Sequence, residues 1–272
     1  MEIFQAAVLG IVQGLTEFLP ISSSGHLILV PAVFGWSDFS NNLTFDVALH
    51  VGTTFAVVLF FWKDWLQMVG SFVKNLPYPN KVLADFNSKF FLMILVGSIP
   101  AAIVGLNFQD LIEEKIRSSQ IVAIMLISFA LLLFAADRVG AKKRTLDNLG
   151  FLDSVVVGIA QAVSLIPGVS RSGITITAGL FRGINRESAT RFSFLLSTPA
   201  IAGAAALRFK DFLEVGVANQ GAGVFLVGFL TSAVTGWIAI KFLLKYIANN
   251  NYNIFVWYRL IVGIGILIWF FR

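Results

Sequence analysis

Several residue types are missing from this sequence or scarce in it. The chain has no cysteine, which excludes disulfide bonds and thiol chemistry. Only 13% of its 272 residues are charged, whereas soluble domains carry roughly 25%. The start, Met1-Glu2, has no basic stretch, so we expect no removable signal peptide. These shortages exclude a thiol enzyme and argue against a water-soluble domain.

Apolar residues dominate what is present. They make up 57% of the chain, which includes 27 Phe, and they recur in stretches of about 17–20 residues, the length of a membrane-spanning helix. Transmembrane β-barrels would instead show alternating segments. We therefore predict an all-α polytopic membrane protein that contacts the bilayer. The net charge of +5 lies mostly in loops and reflects membrane orientation, so no nucleic-acid partner is expected.

The apolar stretches predict six transmembrane helices and two re-entrant helical hairpins. The predicted spans are Phe45–Trp62, Phe90–Phe108, Ile121–Ala136, Phe192–Leu207, Ala222–Ile240 and Ile254–Phe271, with Lys63–Lys89 as a polar loop. The first hairpin pairs Ile3–Leu19 with Leu27–Trp36, and the second pairs Phe151–Ile166 with Gly173–Gly183. The second arm of the first hairpin is shorter than the roughly 20 residues of a span, which favours a hairpin. The alternative is a single tilted transmembrane helix.

An internal repeat relates the two halves. A shift of 148 residues places Val8–Ile28 over Val156–Ile176 without a gap. The matched pairs are Gly10 with Gly158, Ile11 with Ile159, Gln13 with Gln161, Ser22 with Ser170, Ser24 with Ser172 and Gly25 with Gly173. Each half holds one hairpin and three spans, and an odd number of crossings inverts the second half. We predict inverted-topology repeats, about 1–137 and 151–272, within a single membrane domain 1–272.

Basic residues predict the orientation. Of the 20 Lys and Arg residues, 13 fall on the face that carries Lys63–Lys89, here called the basic face, 5 fall on the opposite face and 2 lie in the membrane. The positive-inside rule makes the basic face cytoplasmic. Both termini and the mouth of the first hairpin are then expected outside.

Two polar breaks interrupt the hairpins. The first contains Gln13, Glu17, Pro20, Ser22, Ser23, Ser24, Gly25 and His26, and the second contains Gly168, Ser170, Arg171, Ser172, Gly173 and Thr175. Ionisable groups inside a membrane are costly and usually functional. Hydroxyls, glycine backbone and the Arg171 fork suit phosphate oxygens. If the hairpins enter from opposite faces, Glu17 and Arg171 meet at mid-depth; a purely structural ion pair between them is the alternative.

This set of side chains suffices for phosphate-ester hydrolysis. Arg171 and backbone N–H groups would stabilise the transferring phosphoryl group. Ser23 or Ser22 could attack phosphorus, with His26 and Glu17 as the available base and acid. Attack by His26 itself, or by a metal-bound water held by Glu17, stays open.

Both motifs resemble those of the bacterial undecaprenyl-diphosphate phosphatases linked to bacitracin resistance. The likeness rests on Gln13-x-x-x-Glu17 with Pro-x-Ser-Ser-x-Gly-His, on Pro167–Thr175, and on Phe45-Asp46-Val47, Phe192–Leu196 and Tyr258-Arg259. It implies removal of the terminal phosphate of a polyprenyl diphosphate lipid in the bacterial plasma (inner) membrane, at a site open to the periplasmic side. The lipid carrier of cell-wall synthesis would thereby be recycled.

The resemblance also implies roles for individual residues. Glu17, His26, Ser170, Arg171 and Thr175 would be essential, and a divalent cation, Mg²⁺ or Ca²⁺, would assist. We place that metal at Glu17 and Gln13. Relatives carry either Glu or Gln at the position of Gln13, so a metal site made of two carboxylates is not implied for this chain. His50 is expected to be a packed residue of its span. A homodimer is an open prediction.

One alternative function belongs to a different class. Inverted repeats with polar breaks at mid-membrane are also the architecture of transporters, so a phosphate-lipid transporter or flippase is the competing hypothesis.

Another family of membrane phosphatases is excluded by the sequence. That family needs a histidine after its Ser-Arg pair, and this chain has no histidine after Ser170-Arg171.

Overall fold

The computed structural model describes residues 2–36, 39, 43–111, 118–211 and 221–270. These residues form twelve α-helices and contain no strand. The helices are α1 (Glu2–Phe18), α2 (Ser23–Phe34), α3 (Leu43–Phe60), α4 (Trp62–Asn75), α5 (Pro79–Ala84), α6 (Phe86–Leu111), α7 (Ser119–Val139), α8 (Phe151–Val163), α9 (Arg171–Phe181), α10 (Arg186–Asp211), α11 (Ala222–Ile247) and α12 (Asn253–Phe270). The chain is thus a polytopic all-α membrane protein, as predicted.

The first hairpin breaks where the sequence predicts it. Helix α1 ends at Phe18, two residues before Pro20, which lacks a backbone N–H and whose ring disfavours continuation of the helix. Helix α2 then starts at Ser23, and the Ser22 hydroxyl caps it by accepting a hydrogen bond from the backbone N–H of Gly25. Ser22 has a φ of 76°, a conformation that costs a non-glycine residue of the order of 1–3 kcal/mol.

The second hairpin repeats this geometry 148 residues later. Ser170 has a φ of 72° and caps α9 by accepting a hydrogen bond from the N–H of Gly173. The paired hydroxyls correspond too: Ser22 Oγ lies 3.4 Å from Ser24 Oγ, and Ser170 Oγ lies 3.3 Å from Ser172 Oγ. The structural equivalence of the two breaks supports the internal repeat; the limits of the repeats and of the domain stay predictions.

Each hairpin packs on the other half of the chain. Helix α1 lies on α11, so closely that a Cβ on Gly10 would come 1.9 Å from Thr231 Oγ1. Helix α8 lies on α6, where a Cβ on Gly158 would come 2.2 Å from the carbonyl oxygen of Gly97. Small residues that allow close approach are the usual means of joining helices in membranes. The exchanged arms interlock the two halves.

The helices differ in how well they fit a membrane span. Among the described residues, α6, α7 and α11 are long and apolar enough to cross a bilayer, and α3 with α4 would qualify as one pair bent by 73°. Helix α12 is apolar but falls just short in length. The spans assigned to α10 and α12 therefore stay predictions.

The predicted loop Lys63–Lys89 is wrong, because it folds as α4 and α5. Trp62, Leu66, Val69 and Val73 recur at helical spacing on α4, and all four side chains are exposed. Apolar residues at this spacing form an amphipathic helix even though lysines lie among them. After the 73° bend from α3, such a helix suits the membrane surface.

The segments assigned to the basic face do meet. Asp153 accepts hydrogen bonds from Arg144 and Arg182, and Asp137 accepts one from Arg186 and another from the backbone N–H of Tyr252. Four loops or helix ends thus converge at one end of the molecule, which supports the predicted grouping.

Candidate active site

Two helix N-termini face one another where the hairpins break. Helix α2 starts at Ser23 and α9 at Arg171, and the Ser172 hydroxyl donates to the carbonyl oxygen of Leu19 at 3.1 Å. The first N–H groups of a helix have no partner within it, and together with the helix dipole they attract anions. The structure thus brings the two breaks into contact, with the N-termini of α2 and α9 beside one another, whereas their predicted role in phosphate binding stays a prediction.

Glu17 is the centre of this site. Its Oε1 accepts a hydrogen bond from Arg171 Nη2 at 2.6 Å, and its Oε2 accepts one from Ser23 at 2.5 Å and one from Gln13 Nε2 at 3.1 Å. The side chain is only 6% exposed. Four predicted site residues are thus joined through one buried carboxylate. The Ser23 hydroxyl donates its hydrogen bond to this carboxylate, so the predicted nucleophile and a predicted acid or base are in contact.

Arg171 has a hydrogen-bonding group left over. One terminal nitrogen, Nη2, binds Glu17, while the other, Nη1, is buried and has no hydrogen-bond partner among the described residues. Buried donors are almost always satisfied, so an orphaned one indicates a missing partner. A phosphate oxygen is the partner that the guanidinium geometry favours.

His26 faces away from Ser23. Its Nδ1 lies 2.7 Å from the carbonyl oxygen of Ser22, which can only accept, so Nδ1 carries the hydrogen. In the neutral ring Nε2 is then an acceptor, and it receives the hydroxyl of Tyr258 at 2.7 Å. His26, one of the two groups that could act as a base on Ser23, is not hydrogen-bonded to it, because both ring nitrogens are engaged elsewhere and Ser23 binds Glu17.

His50 lies at the edge of the site. Its Nδ1 lies 2.7 Å from the carbonyl oxygen of Asp46, in keeping with a hydrogen-bonded residue of its span. Its Nε2, however, lies 3.8 Å from Glu17 Oε2, which the sequence did not indicate. A protonated His50 would share the carboxylate with Arg171.

Most predicted phosphate-binding side chains shape the backbone. The hydroxyls of Ser22 and Ser170 serve as helix caps, and the buried Thr175 hydroxyl bonds Ser193 at 2.6 Å and the carbonyl oxygen of Arg171 at 2.7 Å. A Cβ on Gly168 would lie 2.6 Å from the carbonyl oxygen of Val122. Arg171 Nη1 is accordingly a donor at the site that has no partner among the described residues.

Comparison with known proteins identifies the family of this chain. The profile of the family described as Bacitracin resistance protein BacA matches residues 6–265. The chain belongs to this family. It is 46% identical to the undecaprenyl-diphosphatase of Thermodesulfovibrio yellowstonii over 272 residues, covering 100% of this chain and 99% of that protein. It is 47% identical over 264 residues to the protein of the same name from Geotalea daltonii, covering 97% and 96%. The corresponding protein from Moorella thermoacetica is 48% identical over 263 residues, covering 97% and 96%.

Two site residues of this BacA-family chain received no role from its sequence. Tyr258 binds His26, and the adjacent Arg259 is fully buried. Arg259 donates to the carbonyl oxygens of Pro20, Met125, Leu126, Gly168 and Val169. An arginine within an apolar helix was the available indication, since such charges are seldom incidental.

A metal site made by this BacA-family chain alone would be incomplete. The described residues contain no cluster of three His, Cys, Asp or Glu side chains. Gln13 Oε1 is buried and has no hydrogen-bond partner in the part of the chain that the structure describes, and Glu17 supplies the adjacent carboxylate. One carboxylate and one amide oxygen fit a Mg²⁺ ion that completes its shell with water and substrate phosphate.

Proposed function

We propose that this chain hydrolyses undecaprenyl diphosphate to undecaprenyl phosphate and inorganic phosphate. Relatives that match almost its full length bear the name undecaprenyl-diphosphatase, and the site has the groups that the reaction needs. The reaction would recycle the lipid carrier of cell-wall synthesis and confer resistance to bacitracin. The hydrogen bond between Ser23 and Glu17, on a carboxylate also held by Arg171, carries the assignment of roles.

In the first step Ser23 Oγ attacks the terminal phosphorus. Its proton passes to Glu17 Oε2, 2.5 Å away, as the bond between phosphorus and the bridging oxygen breaks. Undecaprenyl phosphate leaves with the electron pair of that bond. Arg171 Nη1 and the N–H groups at the starts of α2 and α9 stabilise the charge on the transferring group.

In the second step water attacks the phosphoserine. The water proton passes towards His26 Nε2 through the Tyr258 hydroxyl, and Glu17 returns its proton to Ser23 Oγ as the serine bond to phosphorus breaks. His26 then gives its extra proton back through Tyr258 to the departing phosphate, so that both groups return to their starting states. Inorganic phosphate is released and Ser23 is regenerated. The two titratable groups thereby take separate roles. Ser22 is a poorer nucleophile because its hydroxyl, only 1% exposed, caps α2.

A divalent cation, Mg²⁺ or Ca²⁺, is proposed at the diphosphate. Glu17 and Gln13 Oε1 would hold it together with the substrate oxygens. When bound it would neutralise charge on the phosphates.

The location in the cell is proposed from the distribution of the basic residues and from the family. We place the chain in the bacterial plasma (inner) membrane with the basic face inside, both termini outside and the site open to the periplasmic side. The polyprenyl diphosphate and the bilayer are its partners, and a homodimer stays a prediction.

Phosphate release by the purified protein tests the function. We expect detergent-solubilised protein to release phosphate from undecaprenyl diphosphate, whereas a transporter needs two compartments and would release none. The assay is run with Mg²⁺, with Ca²⁺ and with EDTA. Activity lost with EDTA supports the cation, and activity that survives removes it while keeping the enzyme. No release from folded protein would contradict the proposal.

A further inference from the structure

Arg259 is a buried charge that the two-step reaction does not use. Its side chain is fully buried, and among the described residues no carboxylate pairs with it. Burying a charge without a counter-ion is expensive, and such a group inside a membrane is normally retained for function. Arg259 therefore needs an explanation beyond packing.

Its hydrogen bonds link three separate parts of the chain. Nη1 donates to the carbonyl oxygen of Pro20 in the first break, at 3.3 Å. Nη2 donates to the carbonyl oxygens of Gly168 and Val169 in the second break, at 3.2 and 3.0 Å. Nε donates to the carbonyl oxygen of Leu126 on α7, at 3.2 Å. One guanidinium group thus ties both breaks to a third helix.

Arg259 also lies close to a helix N-terminus of the proposed phosphate site. A Cβ on Gly173, in the first turn of α9, would lie 2.8 Å from Arg259 Nη1, so the guanidinium is in contact with that turn. Each break exposes both N–H groups, which attract an anion, and carbonyl groups, which repel one. Ser22 and Ser170 adopt strained positive φ angles at these points, so something must hold the backbone orientation.

We propose that Arg259 is a positioning residue that binds the carbonyl groups of both breaks, so that the opposing N–H groups face the diphosphate. Without these bonds the carbonyl groups can turn towards the substrate, and the two N-termini lose their alignment. This inference rests on the proposed function, because it names how that site is held in register for its substrate.

The test compares four proteins: wild type, Arg259→Met, Arg259→Lys and the control Arg182→Met. Arg182 binds Asp153 on the basic face, and removing it should lower stability without touching the breaks. The readouts are kcat, KM for undecaprenyl diphosphate, the inhibition constant of inorganic diphosphate and Tm. KM and the inhibition constant do not depend on the fraction of folded protein. A substitution that only lowers stability would therefore leave both constants unchanged.

We expect Arg259→Met to raise both KM and the inhibition constant about tenfold or more, as for the loss of a charge-assisted hydrogen bond. Arg182→Met should lower Tm and leave both constants unchanged. Lysine keeps the charge, but its single nitrogen cannot reach carbonyls in both breaks, so Arg259→Lys should raise both constants as well.

Wild-type constants in Arg259→Met would overturn the proposal. If Arg259→Met does not fold, Arg259→Lys decides the question. A KM and an inhibition constant equal to those of wild type in Arg259→Lys would show that a positive charge suffices, and would also overturn the proposal. If wild type releases no phosphate, the proposed function fails. Calorimetric titration of all four proteins with inorganic diphosphate would still measure the effect of Arg259 on binding.

Discussion

At the scale of single residues, Glu17 determines what the site can do. Its two oxygens separate the tasks, since one binds the Arg171 cation and the other receives the Ser23 hydroxyl. A purely structural ion pair would have no use for the second contact. In the proposed mechanism this carboxylate therefore connects charge neutralisation with activation of the nucleophile.

Ser23→Ala should reduce kcat by about 10³-fold or more, because it removes the attacking atom while leaving the ion pair in place. The measurement is phosphate release in detergent, together with Tm to confirm folding. Ser128→Ala, an exposed serine on α7, is the matched control and should behave as wild type. A Ser23→Ala enzyme with substantial activity would favour attack by water or by His26.

Arg171→Ala should reduce kcat by about 10²–10³-fold, the usual loss for one donor to a developing charge. The Ala substitution also leaves Glu17 buried without its cation, so Tm is measured in parallel. Arg138→Ala, which removes an arginine stacked on Phe134, should leave activity intact. Near-normal turnover in Arg171→Ala would contradict the role of this residue in binding phosphate.

Tyr258→Phe should lower kcat about tenfold and leave KM nearly unchanged, because it removes the hydroxyl through which His26 accepts a proton. Burst kinetics supply the decisive readout: a slower second step should let the phosphoserine accumulate. Tyr246→Phe, a tyrosine stacked on Phe242, is the control. A slower first step in Tyr258→Phe would place His26 elsewhere in the mechanism.

At the scale of elements, the breaks were predictable and their surroundings were not. Pro20 and Pro167-Gly168 mark helix ends by local sterics, and the repeated Ser-x-Ser-Gly places an N-cap at the same point of each hairpin. The bonds of Arg259 could not be predicted, because its acceptors lie 90 or more residues away in sequence. The pairing of His26 with Tyr258 was missed for the same reason.

Gly158→Ala should destabilise the protein strongly, because the added methyl group would lie 2.2 Å from the carbonyl oxygen of Gly97 and the backbone there cannot move aside. We expect a lower Tm or loss of folded protein in detergent, by the mechanism of overpacking. Gly265→Ala is the control, because a Cβ at this position of α12 would have no atom within 4 Å. An unchanged Tm in Gly158→Ala would mean that α6 and α8 are less closely packed than described.

At the scale of the whole molecule, the exchanged hairpins explain why the site needs both halves. The first half supplies Glu17, Ser23 and His26, whereas the second supplies Arg171, Tyr258 and Arg259. The repeat is symmetric in its backbone and asymmetric in its chemistry, since Glu17 corresponds to Leu165 under the 148-residue shift. Neither half could assemble the acid, the base and the cation alone.

The orientation of this assembly in the membrane can be measured because the chain has no cysteine. Asn80→Cys, an exposed position on α5, should be shielded from a membrane-impermeant thiol reagent in intact cells and react after permeabilisation. Glu2→Cys, exposed at the start of α1, should react in both cases. The physical reason is the excess of Lys and Arg on the basic face, which resists transfer across the membrane. The opposite labelling pattern would invert the topology and open the first hairpin, with Ser23 and Glu17 at its tip, towards the cytoplasm.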